Sequence, residues 1–317
     1  MGELRGRPGD HNNARPPADA PCHAPADRPP PVDRPERTDR PPPPRPRDHR
    51  PDTPLRVVPD IPERSAGTDD PWAHARKDLG RFDATRAGLP EVREGDAERY
   101  IEASRGDRPW LNSARGAPGD VQRVFASLDQ GGGHAHIRHE GWLSMEKSQL
   151  RVLGLQDPAQ LDPAKRAAGK DGLLPGDKPH YCAAMSTAIR DRTAFAVAFT
   201  RGTEHPRIRA VLDTCKTPEQ PRPDIVSIPI ADVLGPDGHQ HCEGYKLAGD
   251  NSRAARRDRR TWLQENKAGD PPSVAQPLVV PVDFRDGTID YTFTVNAEGR
   301  YEILSMYPSP PARETDR

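Results

Sequence analysis

The sequence predicts an α+β protein, with helices first and an antiparallel sheet last, preceded by a disordered proline-rich arm. Three observations carry this reading. Apolar residues recur at helical spacing over 121–128, they alternate at the strand period in two later runs, and the 39 prolines of the 317-residue chain crowd toward its front.

Residues 1–68 are a polyampholyte of Pro, Arg and Asp, as in DRPPPVDRPERTDRPPPPRPRDHRPD. Such a segment buries too little apolar surface to offset its ordering entropy, so a disordered arm of polyproline character is expected. A plain linker is one use for it and recruitment of a proline-reading partner is another. Residues 69–118 are partly helical in pattern but very polar. Trp72, Leu79 and Phe82 fall at loose helical spacing, and EGDAERYIEASRG offers a short second helix. This stretch is expected to be a linker or stalk.

The domain itself is expected over 119–311, with 312–317 as a tail. DVQRVFASLDQ opens with Asp120 as N-cap, and Val121, Val124, Phe125 and Leu128 follow at i, i+3, i+4 and i+7. LSMEKSQLRVLG supplies the next helix, with Leu150, Val152 and Leu153 facing inward. AAMSTAIRDRTAFAVAFTRG reads as one apolar helix through Met185, Ile189, Phe195, Val197 and Phe199, and PRIRAVLDT as a short one. After Pro221 the period changes. DIVSIPIADVL alternates like a strand and SRAARRDRRTWLQEN is a basic helix. QPLVVPVDF, TIDYTFTV and YEILSMYP read as strands, the last two joined by the turn NAEG.

A net charge of −1 excludes a general electrostatic nucleic-acid binder, which needs a broad positive field, but leaves room for local grip on one or two phosphates. No apolar run approaches the ~20 residues that span a bilayer. MGELRGRPGDHNNARPP has no hydrophobic core for a secretory signal, so export would use a route that reads something else. Cys22 sits in the arm. Cys182, Cys215 and Cys242 form an odd set, for which a disulfide from Cys182 to Cys242 or Cys215 is one arrangement.

Three histidines follow a triple glycine in GGGHAHIRHEG: His134, His136 and His139. Glycine lets a backbone approach a ligand closely, and imidazole moves protons near neutral pH. One reading is a metal site, since His134-x-His136-x-x-His139 is similar to the HxHxDH motif of metallo-β-lactamase-fold hydrolases. Arg138, however, puts a fixed positive charge where that motif has its Asp. His180, Cys182, His239, His241 and Cys242 are also metal-compatible types, though without a standard zinc spacing. The other reading is acid–base chemistry without metal or cofactor. RNA cleavage by internal transfer needs a base for the 2′-OH, an acid for the leaving 5′-oxygen and a cation on the phosphorane. Lys147 and Arg151 stand four apart on a helix, and Ser305 and Tyr307 at i and i+2 share one strand face.

Gly132-Gly133-His134 through His139 to Gly141, then QLRVL, then Ser305-Met306-Tyr307-Pro308, resembles the bacterial RNase A-like toxin domain of contact-dependent inhibition proteins and other polymorphic toxins. EndoU-type nucleases share similar motifs. The family ends in Thr-x-Tyr-Pro, and Ser305 here keeps the hydroxyl. The resemblance implies His134 as catalytic histidine, Arg151 as the phosphate-stabilising cation, and Ser305 and Tyr307 as partners; Lys147, on the same helical face, is the substitute cation that the spacing offers. The resemblance also implies His139 as the second motif histidine, and the near-neutral overall charge leaves room for an inhibitor protein that covers the site. The expected function is a metal-independent endoribonuclease toxin or effector leaving 2′,3′-cyclic phosphate. The alternatives are a metal-dependent hydrolase using His134, His136 and His139, or an interaction protein recruited by its Pro-rich arm.

Overall fold

The structure, a computed structural model, describes residues 75–131, 133–154, 173–174, 178–179, 184–216, 225–249, 253–268 and 272–311. The arm expected over 1–68, the tail expected over 312–317, and Trp72, His180 and Cys182 lie outside the described residues.

The chain begins with α1 (Arg76–Leu79) and α2 (Glu94–Ala103), with 3-10 turns at Thr85–Ala87 and Pro109–Ala114. Next come α3 (Gly119–Gln130), α4 (Ala135–His139) and α5 (Met145–Leu153). Val121, Val124, Phe125 and Leu128 of α3 are all buried, as their spacing predicts. The cap position belongs to Pro118, which puts Asp120 inside the first turn, where a carboxylate opposes the helix dipole. On α5, Ser144 caps the start by accepting the Lys147 N–H at 3.3 Å; Val152 and Leu153 are buried, and Leu150 is only partly so.

A short antiparallel pair, β1 (Leu173–Leu174) and β2 (Lys178–Pro179), is followed by β3 (Met185–Ile189), α6 (Arg192–Glu204) and α7 (Pro206–Leu212). The single helix expected from the AAMSTAIRDRTAFAVAFTRG run is therefore a strand and a helix. Asp191 divides them, because its side chain accepts the Ala194 N–H at 2.7 Å and starts α6 afresh. Then come β4 (Val226–Pro229), α8 (Ile230–Leu234), β5 (Cys242–Leu247) and α9 (Arg253–Ala268). β6 (Val279–Pro281), β7 (Thr288–Val295) and β8 (Tyr301–Ser309) complete the order. The strand expected from DIVSIPIADVL stops at Pro229, whose fixed φ and missing N–H suit the start of α8.

The fold is α+β. Two antiparallel three-stranded sheets, ordered β3-β5-β6 and β4-β7-β8, pack with the helices. At the β7–β8 hairpin Asn296 Oδ1 accepts the N–H groups of Glu298 and Arg300, closing the NAEG turn. At the centre lies α6, buried from Thr193 to Thr200, which is why its sequence shows no polar face. Phe195 packs on Phe125 at 5.4 Å and Phe199 meets Phe82 edge-on at 6.2 Å. Tyr291 crosses α6 and donates to the Ala198 carbonyl; a Cβ at Gly202 would fall 2.2 Å from its hydroxyl. Among the described residues no helix is long and apolar enough to cross a membrane.

Residues 75–118, expected as a linker, belong to the same core. Leu79, Phe82, Ile101 and Leu111 are buried in one cluster with Phe125, Phe195 and Phe199. The segment has few apolar residues but buries these completely. Its polar residues are used as well. Tyr100 Oη and Trp110 Nε1 donate to Asp129 on α3 at 2.7 and 2.6 Å, and Arg108 pairs with the same carboxylate. Cutting the chain at Gly119 would strip these partners from a buried charge. A chain beginning at Gly119 is thus expected to lose the cooperative urea unfolding of the full chain. In the full chain, Leu111→Ala should cost about 2–5 kcal/mol in the same measurement. A Gly119 chain that unfolds cooperatively would show the segment to be dispensable.

Candidate active site

The glycine segment after α3 runs beside β8. A Cβ on Gly133 would sit 3.4 Å from the Ile303 carbonyl, and the His134 N–H donates to the Leu304 carbonyl at 3.0 Å. This close approach joins two stretches far apart in sequence. His134 is the cap residue of α4 and His139 its last residue.

The three histidines part company along α4. His136 is fully buried, lies edge-on to Phe125, and its Nε2 is 3.0 Å from Asp129 Oδ1. Burial lowers its pKa more than Asp129 raises it, so a neutral ring donates from Nε2 to a carboxylate. Burial alone would raise the Asp129 carboxyl, but hydrogen bonds from His136, Tyr100 and Trp110 hold it well below the usual range. His136 is thus a core residue. The ligand set His134, His136 and His139 does not converge, and among the described residues no group of three or more His, Cys, Asp or Glu could hold a metal ion. Of the second cluster, His239 and His241 sit on a 3-10 turn. Cys242 is a free thiol whose pKa burial pushes up to about 12. Cys215 is disulfide-bonded, and because Cys242 is free the Cys182–Cys242 pairing does not form.

His139 faces the other way. Its Nδ1 is 2.8 Å from the Thr187 carbonyl on β3, and its ring lies 5.0 Å from the Tyr307 ring, tilted by 36°. A carbonyl only accepts, so Nδ1 carries the hydrogen and the neutral ring keeps its lone pair on Nε2. Arg151, on α5, is 7% exposed, and its Nη1 donates to the Arg138 carbonyl at 3.3 Å and to Ser186 Oγ at 3.4 Å. Burial first, then the Arg151 charge, hold His139 well below its ordinary value. Burial, with Arg138, His136 and Arg151, lowers His134 to about 4.

Ser305 and Tyr307 reach this place through an irregularity in β8. Thr292 pairs with Ser305 and Phe293 with Ile303, leaving Leu304 as an extra residue. The bulge resets the alternation, so Tyr301, Ile303 and Met306 enter the core while Ser305 and Tyr307 share the opposite face. Ser305 is 3% exposed, and among the described residues its hydroxyl has no hydrogen-bond partner. Tyr307 is half-buried, and burial followed by the Asp290 charge raises its pKa.

The structure therefore brings His134, His139, Arg151, Ser305 and Tyr307 together. It does not bring Lys147, which is exposed, because α5 turns its inner face to β3 at Arg151 but away from it one turn earlier. Sequence reasoning missed Ser186 and Thr187, which clamp Arg151 and His139. Reading MSTAI as a strand beside the histidines would have found them. Compared with known proteins, the chain matches no protein-family model, no curated protein and no solved structure.

Directly after His139, Glu140 is 1% exposed and bridges to Ile189 on β3. Burial pushes its carboxyl up to about 8, against hydrogen bonds from Ser113 and the Trp142 N–H. A raised folded pKa means a contribution to stability that is complete below the unfolded value near 4.5 and lost as pH rises through about 8. Glu140→Gln does not ionise and escapes that loss. Its melting temperature relative to the parent should climb between pH 5 and pH 9; a difference constant across that range would contradict the assignment.

Proposed function

We propose that this protein is a metal-independent endoribonuclease effector that cleaves RNA by internal transfer, leaving 2′,3′-cyclic phosphate. One observation carries the reading. Two imidazoles, a buried guanidinium, and a hydroxyl and phenol on one strand face converge on a single place from α4, α5 and β8. These are the groups that internal transfer requires, with the nucleophile supplied by the substrate.

His139 is the base: its Nδ1–H is spent on Thr187, so Nε2 takes the 2′-OH proton as the 2′-oxygen bonds to phosphorus. His134 is the acid, protonating the 5′-oxygen as its bond to phosphorus breaks. Arg151 and the Ser305 hydroxyl face the charge that builds on the non-bridging oxygens. Among the described residues Ser305 has no hydrogen-bond partner to give up for that purpose. Tyr307 supports the His139 ring by stacking. The near-neutral overall charge leaves room for an inhibitor protein as a second partner, covering this face until delivery.

Incubating the full chain with RNA in EDTA and analysing the product ends tests this. Cleavage to 2′,3′-cyclic ends is expected, and His134→Ala or His139→Ala should lower kcat by roughly 10²–10⁴-fold with the fold intact by circular dichroism. Two fully active variants would remove the histidines from the chemistry.

The pH profile supplies a separate test. Burial and Arg151 disfavour imidazolium in the free protein, so the kcat/KM optimum should lie below pH 6.5. A bound phosphate offsets the Arg151 charge and favours imidazolium, so the kcat optimum should lie higher. Coincident optima above pH 7 would contradict the lowered values.

A further inference from the structure

One face of the basic helix α9 is taken up by the core, and its other face is used by neither the core nor the chemistry of the candidate site. It divides cleanly by face. Arg259, Trp262 and Leu263 are buried, and Arg259 Nη1 donates to the Val152 carbonyl at 2.7 Å. Trp262 and Leu263 pack with Val152 and Leu153 of α5 and with Tyr245 and Leu247 of β5. Arg253, Arg256, Arg257 and Arg260 are exposed and stand at i, i+3, i+4 and i+7, which is one stripe along the helix. Asp258 meets Arg257 at 3.6 Å across an exposed gap, a pairing worth little in water.

The anchor lies next to the candidate site. Val152, whose carbonyl holds Arg259, follows Arg151 directly, so α9 is docked on the helix that supplies the phosphate-facing cation. Packed helices lie about 8–10 Å apart axis to axis, so α9, with the arginine stripe along its exposed side, is a direct neighbour of α5. In a chain of net charge −1, four exposed arginines on one line concentrate positive charge locally.

We infer that the exposed arginine stripe of α9 binds the phosphates of single-stranded RNA flanking the cleaved bond, and so delivers the strand to the site beside α5. This rests on the ribonuclease reading for its substrate. The arginines hold phosphate charge and read no base, so their contribution is uniform over sequence and sensitive to salt.

The test is a binding measurement that does not depend on cleavage. A fluorescent 2′-O-methyl RNA 12-mer lacks the nucleophile for internal transfer, so the intact full chain can be titrated with it by anisotropy over a salt series. Arg253→Gln, Arg256→Gln and Arg257→Gln are combined, since Gln keeps the helix while removing the charge. The plot of log affinity against log salt should become shallower by about 2, three charges at about 0.7 each on a single strand. That result supports the inference even where RNA goes uncleaved, in which case only the nuclease reading falls. Equal slopes for parent and variant overturn it. So does stripe-dependent binding of poly-glutamate in preference to the oligonucleotide, which would assign the surface to an acidic protein instead.

Discussion

An ionised carboxylate inside a protein core is costly unless it is well paired, and Asp129 meets that condition with four partners from two parts of the chain. Tyr100, Arg108 and Trp110 come from the segment ahead of α3, and His136 comes from α4. The carboxylate fixes the N-terminal segment against α3 and fixes α4 by its second residue, His136. His134 and His139 flank His136 on both sides, so the same interaction orients the two histidines of the candidate site. The chemistry proposed for α4 depends on a histidine that takes no part in it.

Strand β3 does the corresponding work on the other side. Its Thr187 carbonyl sets the His139 tautomer, its Ser186 hydroxyl receives Arg151, and its Ile189 bridges Glu140. Three successive features of the α4–α5 region are thus referred to one short strand. The strand is itself paired with β5 along all five residues, which gives it the rigidity that a positioning element needs. The β8 bulge then presents Ser305 and Tyr307 from the second sheet.

Much of this was legible in the sequence where a single period held. The spacing of Val121, Val124, Phe125 and Leu128 identified α3, and the NAEG turn identified the β7–β8 hairpin. The shared face of Ser305 and Tyr307 survived the bulge because both lie beyond Leu304. Other features were hidden for physical reasons. β5 is buried on both faces over Glu243–Tyr245, which erases the alternation that marks a strand. The boundary between β3 and α6 rests on one capping side chain inside an apolar run. His136 looked like its neighbours because its distinguishing partner, Asp129, sits on a different helix. The core role of residues 75–118 was masked by their polarity, since a few fully buried side chains suffice to tie a polar segment down.

The main-chain bond from the His134 N–H to the Leu304 carbonyl has a consequence for the order in which the protein is made. Synthesis runs from α4 toward β8, and a ribosome adds all of β3 to β7 between them. Throughout that interval the growing chain carries both histidines and the buried arginine without Leu304, Ser305 or Tyr307. The candidate site therefore has no nascent form. For a protein proposed to cut RNA, this places the onset of activity after β8 has been synthesised and has paired beside α4.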